Sequence, residues 1–230
     1  GLAAVLTYIP LMLFYLLWYL DISLYKYFLH TAAILSLVTI YCTGQMYATL
    51  KTIPAWNNVL VTPIYIINAI SMGSLSLYCF TRFYDIAILQ LYEFTLISLT
   101  LCLILKIIYW FYIRTKTTSS ANTATGLGEK NDVSFFEGPH TGKNFLTTEM
   151  INIIKKENAN FLRLCFIILT GVLPVYVIVQ EASLIIDIFI IKLSFLITLI
   201  LALIGMLIER YLFFIQAKHV VSLYYGEDRV

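Results

Sequence analysis

Charged side chains are scarce in this sequence. They make up 12% of its 230 residues, about half of the roughly 25% found in an ordinary soluble domain. Their distribution is uneven, since twelve lie between Arg114 and Arg163 and six lie from Glu209 onward. Apolar residues make up 60% of the chain and the mean hydropathy is +0.87. These values argue against a soluble fold, exclude disordered, collagen-like and disulfide-scaffold classes, and indicate an integral membrane protein.

Several chemical signatures are also missing. The net charge is only +2, and no stripe of basic residues could follow a nucleic-acid backbone, so we expect no nucleic-acid partner. No Walker, GxGxxG or HExxH pattern occurs, so we expect no nucleotide or metal chemistry in this chain. The cysteines stand singly in apolar segments, without zinc, iron–sulfur or CxxC spacing, and we expect them to be packing residues. They are Cys42, Cys79, Cys102 and Cys165.

Haem is the first cofactor to test in a small membrane bundle. Membrane b-type cytochromes hold each haem between two histidines that lie within the helices. The chain has three histidines, His30, His140 and His219, and no two of them are placed to clamp a haem. We therefore expect no haem.

Six apolar segments are long enough to cross a bilayer, which takes about 20 residues per helix. None alternates as a barrel strand does, and backbone in lipid must satisfy its own hydrogen bonds, so the segments are predicted to be helices. The predicted fold class is an all-α polytopic transmembrane helical bundle, with one domain over residues 1–230. Gly1 begins inside an apolar run without a basic region before it, which indicates an incomplete or processed N-terminus. The predicted spans lie near 2–20, 28–49, 59–81, 86–113, 160–180 and 184–208.

Four of the joints between spans are short, which implies antiparallel neighbours, but the joint over 114–160 is long. Its first part, 117–132, is rich in Ser, Thr, Gly and Asn and is not expected to order itself. Its second part has an apolar patch, a turn at 138–139 and a short amphipathic helix near 150–154. Two interpretations stay open: an extramembrane loop that contacts a partner subunit, or a mobile loop lying on the headgroups.

The alternation of spans sorts the basic residues by membrane face. We call the face that holds the joint at 51–58 face A and the opposite one face B. Cytoplasmic loops carry an excess of Lys and Arg, so the count predicts that face A is cytoplasmic. Face A holds Lys51, Arg114, Lys116, Lys130, Lys143, Lys155, Lys156, Lys218 and Arg229, and face B holds Lys26 and Arg82.

Polar and ionisable residues also gather near face A. Ionisable groups within a membrane are costly and are functional candidates by default. The alternative for Lys51, Lys106 and Arg114 is that they extend to lipid headgroups, with Trp56 in the interfacial aromatic belt. The candidates are Gln45, Tyr47, Lys51, Pro54, Trp56, Asn57, Asn58, Lys106, Arg114, Glu209, Arg210 and His219.

Glu209 and Arg210 stand out because an acid and a base lie side by side at the end of a long apolar span. Neighbouring helical residues point about 100° apart, so we expect each to find its own partner in a polar pocket between helices. In the opposite half of the membrane, Asp187 or Glu93 is expected to neutralise Lys192. The alternative there is a proton path.

Three stretches resemble a known family. QMYATLKTIPAWNNVLVTP (45–63) resembles the segment of the dimethyl sulfoxide reductase membrane-anchor (DmsC) family in which a helix-end Tyr precedes a T-[IV]-P-x-W turn and a later T-P. GMLIERYLFFIQAKHVVSLYYG (205–226) resembles the last helix of that family, and PHTGKNFLTTEM (139–150) resembles a loop of its longer members. Thr52, Ile53, Pro54, Trp56, Thr62 and Pro63 fit the first pattern.

The resemblance implies a function. Members of the family have about eight spans and no haem; they anchor a molybdopterin catalytic subunit and an iron–sulfur subunit, and they oxidise menaquinol for them. The first span here aligns with the family's third, so two helices and a loop with a His-Leu-Gly motif are expected to be missing. Family complexes are often exported, which would put face A outside the cytoplasm, against the charge count. Orientation stays open.

The sequence thus predicts an anchor that binds menaquinol at face A in the cytoplasmic (inner) membrane and passes electrons to an iron–sulfur partner in anaerobic respiration. The alternatives are an anchor whose partner reduces another acceptor, a small transporter and a non-redox assembly protein. No inverted repeat or matched pair of broken spans favours a transporter. The expected quinol site comprises Tyr47, Lys51, Pro54, Trp56, Glu209, Arg210 and His219. The expected partner-docking residues are Pro139, His140 and Asn144.

Overall fold

The computed structural model describes residues 1–115, 120–126, 133, 156–181 and 188–225. In these ranges the chain is all-α, as predicted. The helices are α1 (Leu2–Tyr19), α2 (Tyr25–Ala48), α3 (Val61–Phe83), α4 (Leu89–Thr115), α5 (Ala121–Thr125), α6 (Lys156–Phe166), α7 (Leu173–Glu181) and α8 (Ile188–Ile215). A π-helical segment, Ile167–Val172, joins α6 to α7, and a 3-10 helix, Val220–Tyr225, follows α8.

Within the described ranges, six helical stretches are long and apolar enough to cross a membrane. The protein is therefore a multi-pass membrane protein whose outer surface contacts lipid. The stretches are Leu2–Tyr19, Tyr25–Ala48, Val61–Phe83, Leu89–Arg114, Asn158–Gln180 and Ile190–Ile215.

The last four spans build the core of the bundle. One buried cluster, near face A, joins α3, α4, α6 and α8 through residues such as Ile64, Trp110 and Phe166. A second, near face B, joins α3, α4, α7 and α8 through Leu75 and Phe195. Burial of this apolar surface holds the four spans together.

The first two spans lie outside this core. Pro10 is the buried residue of α1, and Ala32 and Gly44 are those of α2. Helix α1 packs on α2, and α2 packs on α3. Gly44 allows a close approach, since a Cβ at that position would lie 2.9 Å from the Thr62 Cα of α3. Small residues at such crossings let membrane helices pack closely.

The π-helical segment has a local cause. Pro174 has no N–H to donate to the carbonyl of Thr170, so a regular α-helical bond is lost there. The turn widens, and the N–H of Leu173 donates to the carbonyl of Ile168, five residues back. The Thr170 hydroxyl donates to the Phe166 carbonyl. This segment packs against α4 and α8.

Several local expectations need correction. The last span runs to Ile215 rather than 208, so Glu209 and Arg210 lie inside α8 and not at its end. Helix α5 forms in the stretch that was not expected to order, because Ser120 and Thr123 cap it reciprocally and Gly126 ends it with a φ of 68°.

The cysteines divide by position. Cys79 and Cys102 are buried and Cys165 is half-buried, as expected for packing residues. Cys42 is exposed on the outer side of α2. The predicted packing role was wrong for Cys42, because few side chains of other helices cover α2.

Candidate functional site

Lys106 and Glu209 form a buried ion pair between α4 and α8. The Lys106 Nζ contacts Glu209 Oε1, and the two side chains are 1% and 0% exposed. The Lys106 ammonium also lies 4.6 Å from the centre of the Tyr109 ring. The interpretation in which Lys106 extends to lipid headgroups was therefore wrong: a carboxylate from another helix compensates its charge inside the bundle. Lys51 and Arg114 are exposed, in keeping with that interpretation.

Arg210 binds the same carboxylate. Its Nε donates to Glu209 Oε2 at 2.5 Å. The expectation that the two neighbours need separate partners was wrong, because both side chains are long enough to bend towards each other. Asn68 Nδ2 lies 3.5 Å from the same oxygen. Glu209 thus serves two cations, one at each carboxylate oxygen.

The terminal part of the Arg210 guanidinium is less fully engaged. Its carbon lies 4.1 Å from the centre of the Tyr65 ring and 5.1 Å from that of Phe213. Its Nη1 and Nη2 are shielded from solvent and, among the residues that the structure describes, make no hydrogen bond of good geometry, although the Tyr65 side chain lies close enough to interact with the guanidinium. A buried donor without an acceptor is costly. These nitrogens are therefore suited to bind an oxygen of a ligand.

Aromatic rings surround this arginine. Tyr47 stacks on Tyr65 with centroids 5.8 Å apart, and Trp56 stacks on Phe213 at 5.4 Å. The Tyr47 and Trp56 rings meet edge to face at 5.0 Å. We call this group the aromatic cluster; it comprises Tyr47, Trp56, Tyr65, Phe213 and Phe214.

The joint over 49–60 is fixed to the helices around it. Trp56 Nε1 donates to the Phe213 carbonyl at 2.9 Å, and the Tyr109 hydroxyl donates to the Ala55 carbonyl at 3.0 Å. The N–H of Val220 donates to the Thr52 carbonyl at 2.9 Å. Pro54 is half-buried within the joint. The turn that resembles the anchor family is therefore held against α4 and α8.

The remaining predicted site residues lie nearer the surface of face A. Lys51 is exposed at the start of the joint. His219 is half-buried beyond α8, and its Nδ1 accepts a hydrogen bond from the N–H of Val221 at 3.0 Å. The structure thus brings Tyr47, Trp56, Glu209 and Arg210 together and puts Lys51 and His219 on their outer side. Pro139, His140 and Asn144 lie outside the described residues.

The ion pair near face B differs from its prediction. Lys192 Nζ lies 2.7 Å from Asp85 Oδ2, and both groups are partly exposed. Glu93 is exposed, and Asp187 lies outside the described residues. Among the described residues Lys192 pairs with Asp85, in the short joint before α4, and not with Glu93, so the prediction was wrong for Glu93. For Asp187 it stays a prediction.

Three residues of the site were missed by sequence reasoning. Asn68 contacts Glu209, Tyr65 covers Arg210, and Cys102 Sγ donates to Asn68 Oδ1 at 3.1 Å. An asparagine in the middle of an apolar span was the available signal for Asn68. Nothing in the sequence distinguishes Tyr65 from the other sixteen tyrosines.

A metal centre has no ligand set in the part of the chain described: no three His, Cys, Asp or Glu side chains converge there.

Comparisons with known proteins supply no family. No protein-family model, curated protein or solved structure matches the chain. The resemblance to the DmsC family therefore stays a prediction.

Proposed function

We propose that the chain is the membrane-anchor subunit of a molybdopterin oxidoreductase similar to dimethyl sulfoxide reductase, and that it binds menaquinol beside Arg210. The observation that supports this best is the end of the Arg210 guanidinium, which is shielded from solvent, makes no hydrogen bond of good geometry in the described structure and lies next to the aromatic cluster. A quinol needs an apolar slot for its ring and a polar group for its oxygen. The aromatic cluster offers apolar ring surface, and Arg210 offers the polar group.

Each residue has a role in this proposal. Arg210 donates to a quinol oxygen, and Glu209 holds the guanidinium in place through Nε. Tyr47 and Trp56 line the ring, with Pro54 shaping the turn. Because Glu209 already binds two cations, His219 and Lys51, at the water side, are the better-placed groups for proton release.

The reaction balances as an oxidation of one quinol to one quinone. Two O–H bonds break, the two protons leave to water at the membrane edge, and the two electrons pass to an iron–sulfur cluster of the partner subunit. The molybdopterin subunit then uses the electrons, so this chain does not touch the terminal acceptor. The proposed location is the cytoplasmic membrane, with the partner subunits at face A.

Arg210→Leu in the purified complex tests the proposal. We expect quinol oxidation to be lost, because two shielded donors that face the aromatic cluster are removed. Activity with an artificial electron donor to the partner subunits should stay normal. The matched control is Arg163→Leu, which removes another half-buried arginine whose guanidinium carbon lies 5.4 Å from the centre of the Trp110 ring. Unchanged quinol turnover in Arg210→Leu would contradict the proposal.

Purification from native membranes separates the classes of function. Molybdenum and iron–sulfur subunits in the same complex support the anchor. A chain that purifies alone and moves a solute across vesicles supports the transporter instead.

A further inference from the structure

Glu209 is shared between two cations, and each of them takes a different oxygen. The Lys106 Nζ contacts Oε1 from α4, and the Arg210 Nε contacts Oε2 from the next position on α8. Arginine and carboxylate groups frequently pair through two parallel hydrogen bonds, in which one guanidinium engages both oxygens. Here the guanidinium contacts one oxygen and Lys106 contacts the other.

Aromatic rings hold Lys106 in this position. Its side chain is 1% exposed, and its ammonium lies 4.6, 5.8 and 5.9 Å from the ring centres of Tyr109, Trp110 and Phe213. A cation over the face of a ring is attracted to it. The Tyr109 ring is itself fixed, because its hydroxyl donates to the Ala55 carbonyl at 3.0 Å. Movement of Lys106 away from the carboxylate would therefore break several contacts at once.

Asn68 fixes the orientation of the carboxylate from a third helix. Its Nδ2 lies 3.5 Å from Glu209 Oε2, and Cys102 Sγ donates to its Oδ1 at 3.1 Å. Asn68 and Cys102 are both buried. The Glu209 carboxylate is thus held by groups from α3, α4 and α8, so its two oxygens keep distinct partners.

This arrangement leaves the end of the Arg210 guanidinium for another acceptor. Its Nη1 and Nη2 are shielded and, in the part of the chain described, make no hydrogen bond of good geometry. If Glu209 Oε1 had no lysine beside it, one Nη would turn to that oxygen and complete a two-bond pair with the carboxylate. The ligand site would then lose a donor.

We propose that Lys106 is a positioning residue of the ligand site. By holding Glu209 Oε1, it limits Arg210 to one contact with the carboxylate and keeps both Nη groups available to a ligand oxygen. The ligand is the quinol of the proposed function, on which this inference rests. Lys106 acts through Glu209 and Arg210, and no bond to it forms or breaks in the reaction.

Lys106→Met tests the proposal, because it removes the ammonium and keeps an unbranched side chain. The full chain in detergent is titrated with menadione, a menaquinone ring without its tail, and binding is followed by quenching of tryptophan fluorescence. We expect the affinity to fall about tenfold or more, the effect of one lost hydrogen bond to a charged group. Lys192→Met removes a lysine from the ion pair near face B and is the matched control, with unchanged affinity expected.

A second substitution separates positioning from packing. Glu209→Gln added to Lys106→Met leaves a side chain with one oxygen, so two oxygens no longer hold the guanidinium. The affinity for menadione should then rise again, to within a few-fold of that of the natural chain. A purely structural role of Lys106 predicts a further loss instead, because another buried polar group has been changed.

Nitrogen NMR of arginine-labelled protein measures the same change without a ligand. In Lys106→Met the rotation of the Arg210 guanidinium should become slower than in the natural chain, because Glu209 then holds it at two nitrogens. The signals of Arg210 are identified by their loss in Arg210→Leu.

Three results overturn the proposal: equal menadione affinity of Lys106→Met and the natural chain, a further loss when Glu209→Gln is added, or unchanged guanidinium rotation in Lys106→Met. A natural chain that does not bind menadione contradicts the proposed quinol site instead. The NMR comparison then decides the role of Lys106 by itself, so the two failures are distinguishable.

Discussion

Glu209 connects the charged and the aromatic parts of the face A site. Its two oxygens bind Lys106 and Arg210, and its side chain is fully buried. The sequence predicts that Glu209 needs a polar pocket, because a charge inside an apolar helix must be paired. It does not predict the partner, since Lys106 lies 103 residues away along the chain.

The two members of the ion pair should differ in their effect on stability. Glu209→Leu leaves two cations buried side by side, and breaking a buried pair in this way costs about 3–5 kcal/mol. Lys106→Leu leaves the neutral Glu209–Arg210 pair, so its cost should be smaller. Thermal unfolding of the purified protein in detergent measures both. A loss for Lys106→Leu as large as that for Glu209→Leu would contradict this account.

At the scale of the elements, the helices follow from apolar length and their positions follow from packing. The boundaries of α1 to α3 lie within about three residues of their predictions, because apolar runs and polar joints are local signals. The predicted end of the last span came too early, because the run of apolar residues is interrupted at Glu209. Only the packed structure shows that Lys106 neutralises Glu209, so that α8 can continue past this residue.

The close approach of α2 and α3 at Gly44 leads to a prediction about substitutions there. In Gly44→Ala the new Cβ would lie 2.9 Å from the Thr62 Cα, so the helices must separate. We expect a loss of about 1–3 kcal/mol, as for other overpacked contacts. Gly73→Ala on α3 is the matched control, since nothing lies within 4 Å of its Cβ. It should be neutral or stabilising by up to about 1 kcal/mol, because alanine favours a helix.

Urea or heat unfolding of the two glycine variants in detergent gives the comparison. Equal stability of Gly44→Ala and Gly73→Ala would show that α2 does not pack closely on α3.

At the scale of the whole molecule, alternating spans put the polar features on two faces. The joint over 49–60 and the segment after α8 meet at face A, where Val220 bonds to Thr52. The Lys192–Asp85 pair lies towards face B.

Cysteine labelling tests this sidedness. Val59→Cys and Val221→Cys should react with a membrane-impermeant maleimide from the same side of sealed vesicles, because both lie exposed at face A. Ser23→Cys, exposed at the turn between α1 and α2, should react from the opposite side. The four natural cysteines lie within the spans, and the unsubstituted chain gives the background. Labelling of Ser23→Cys and Val59→Cys from the same side would contradict the topology.

The sequence by itself determined the six helical spans and the alternation of the joints. Both depend on local properties: an apolar run long enough for a bilayer, and a backbone that must bond to itself in lipid. The tertiary structure decided which charges are paired, which aromatic rings cover Arg210 and that Ser74 of α3 meets Ser98 of α4. Those contacts join residues far apart in the chain, as with Lys192 and Asp85 at a separation of 107 residues, so no local pattern could specify them.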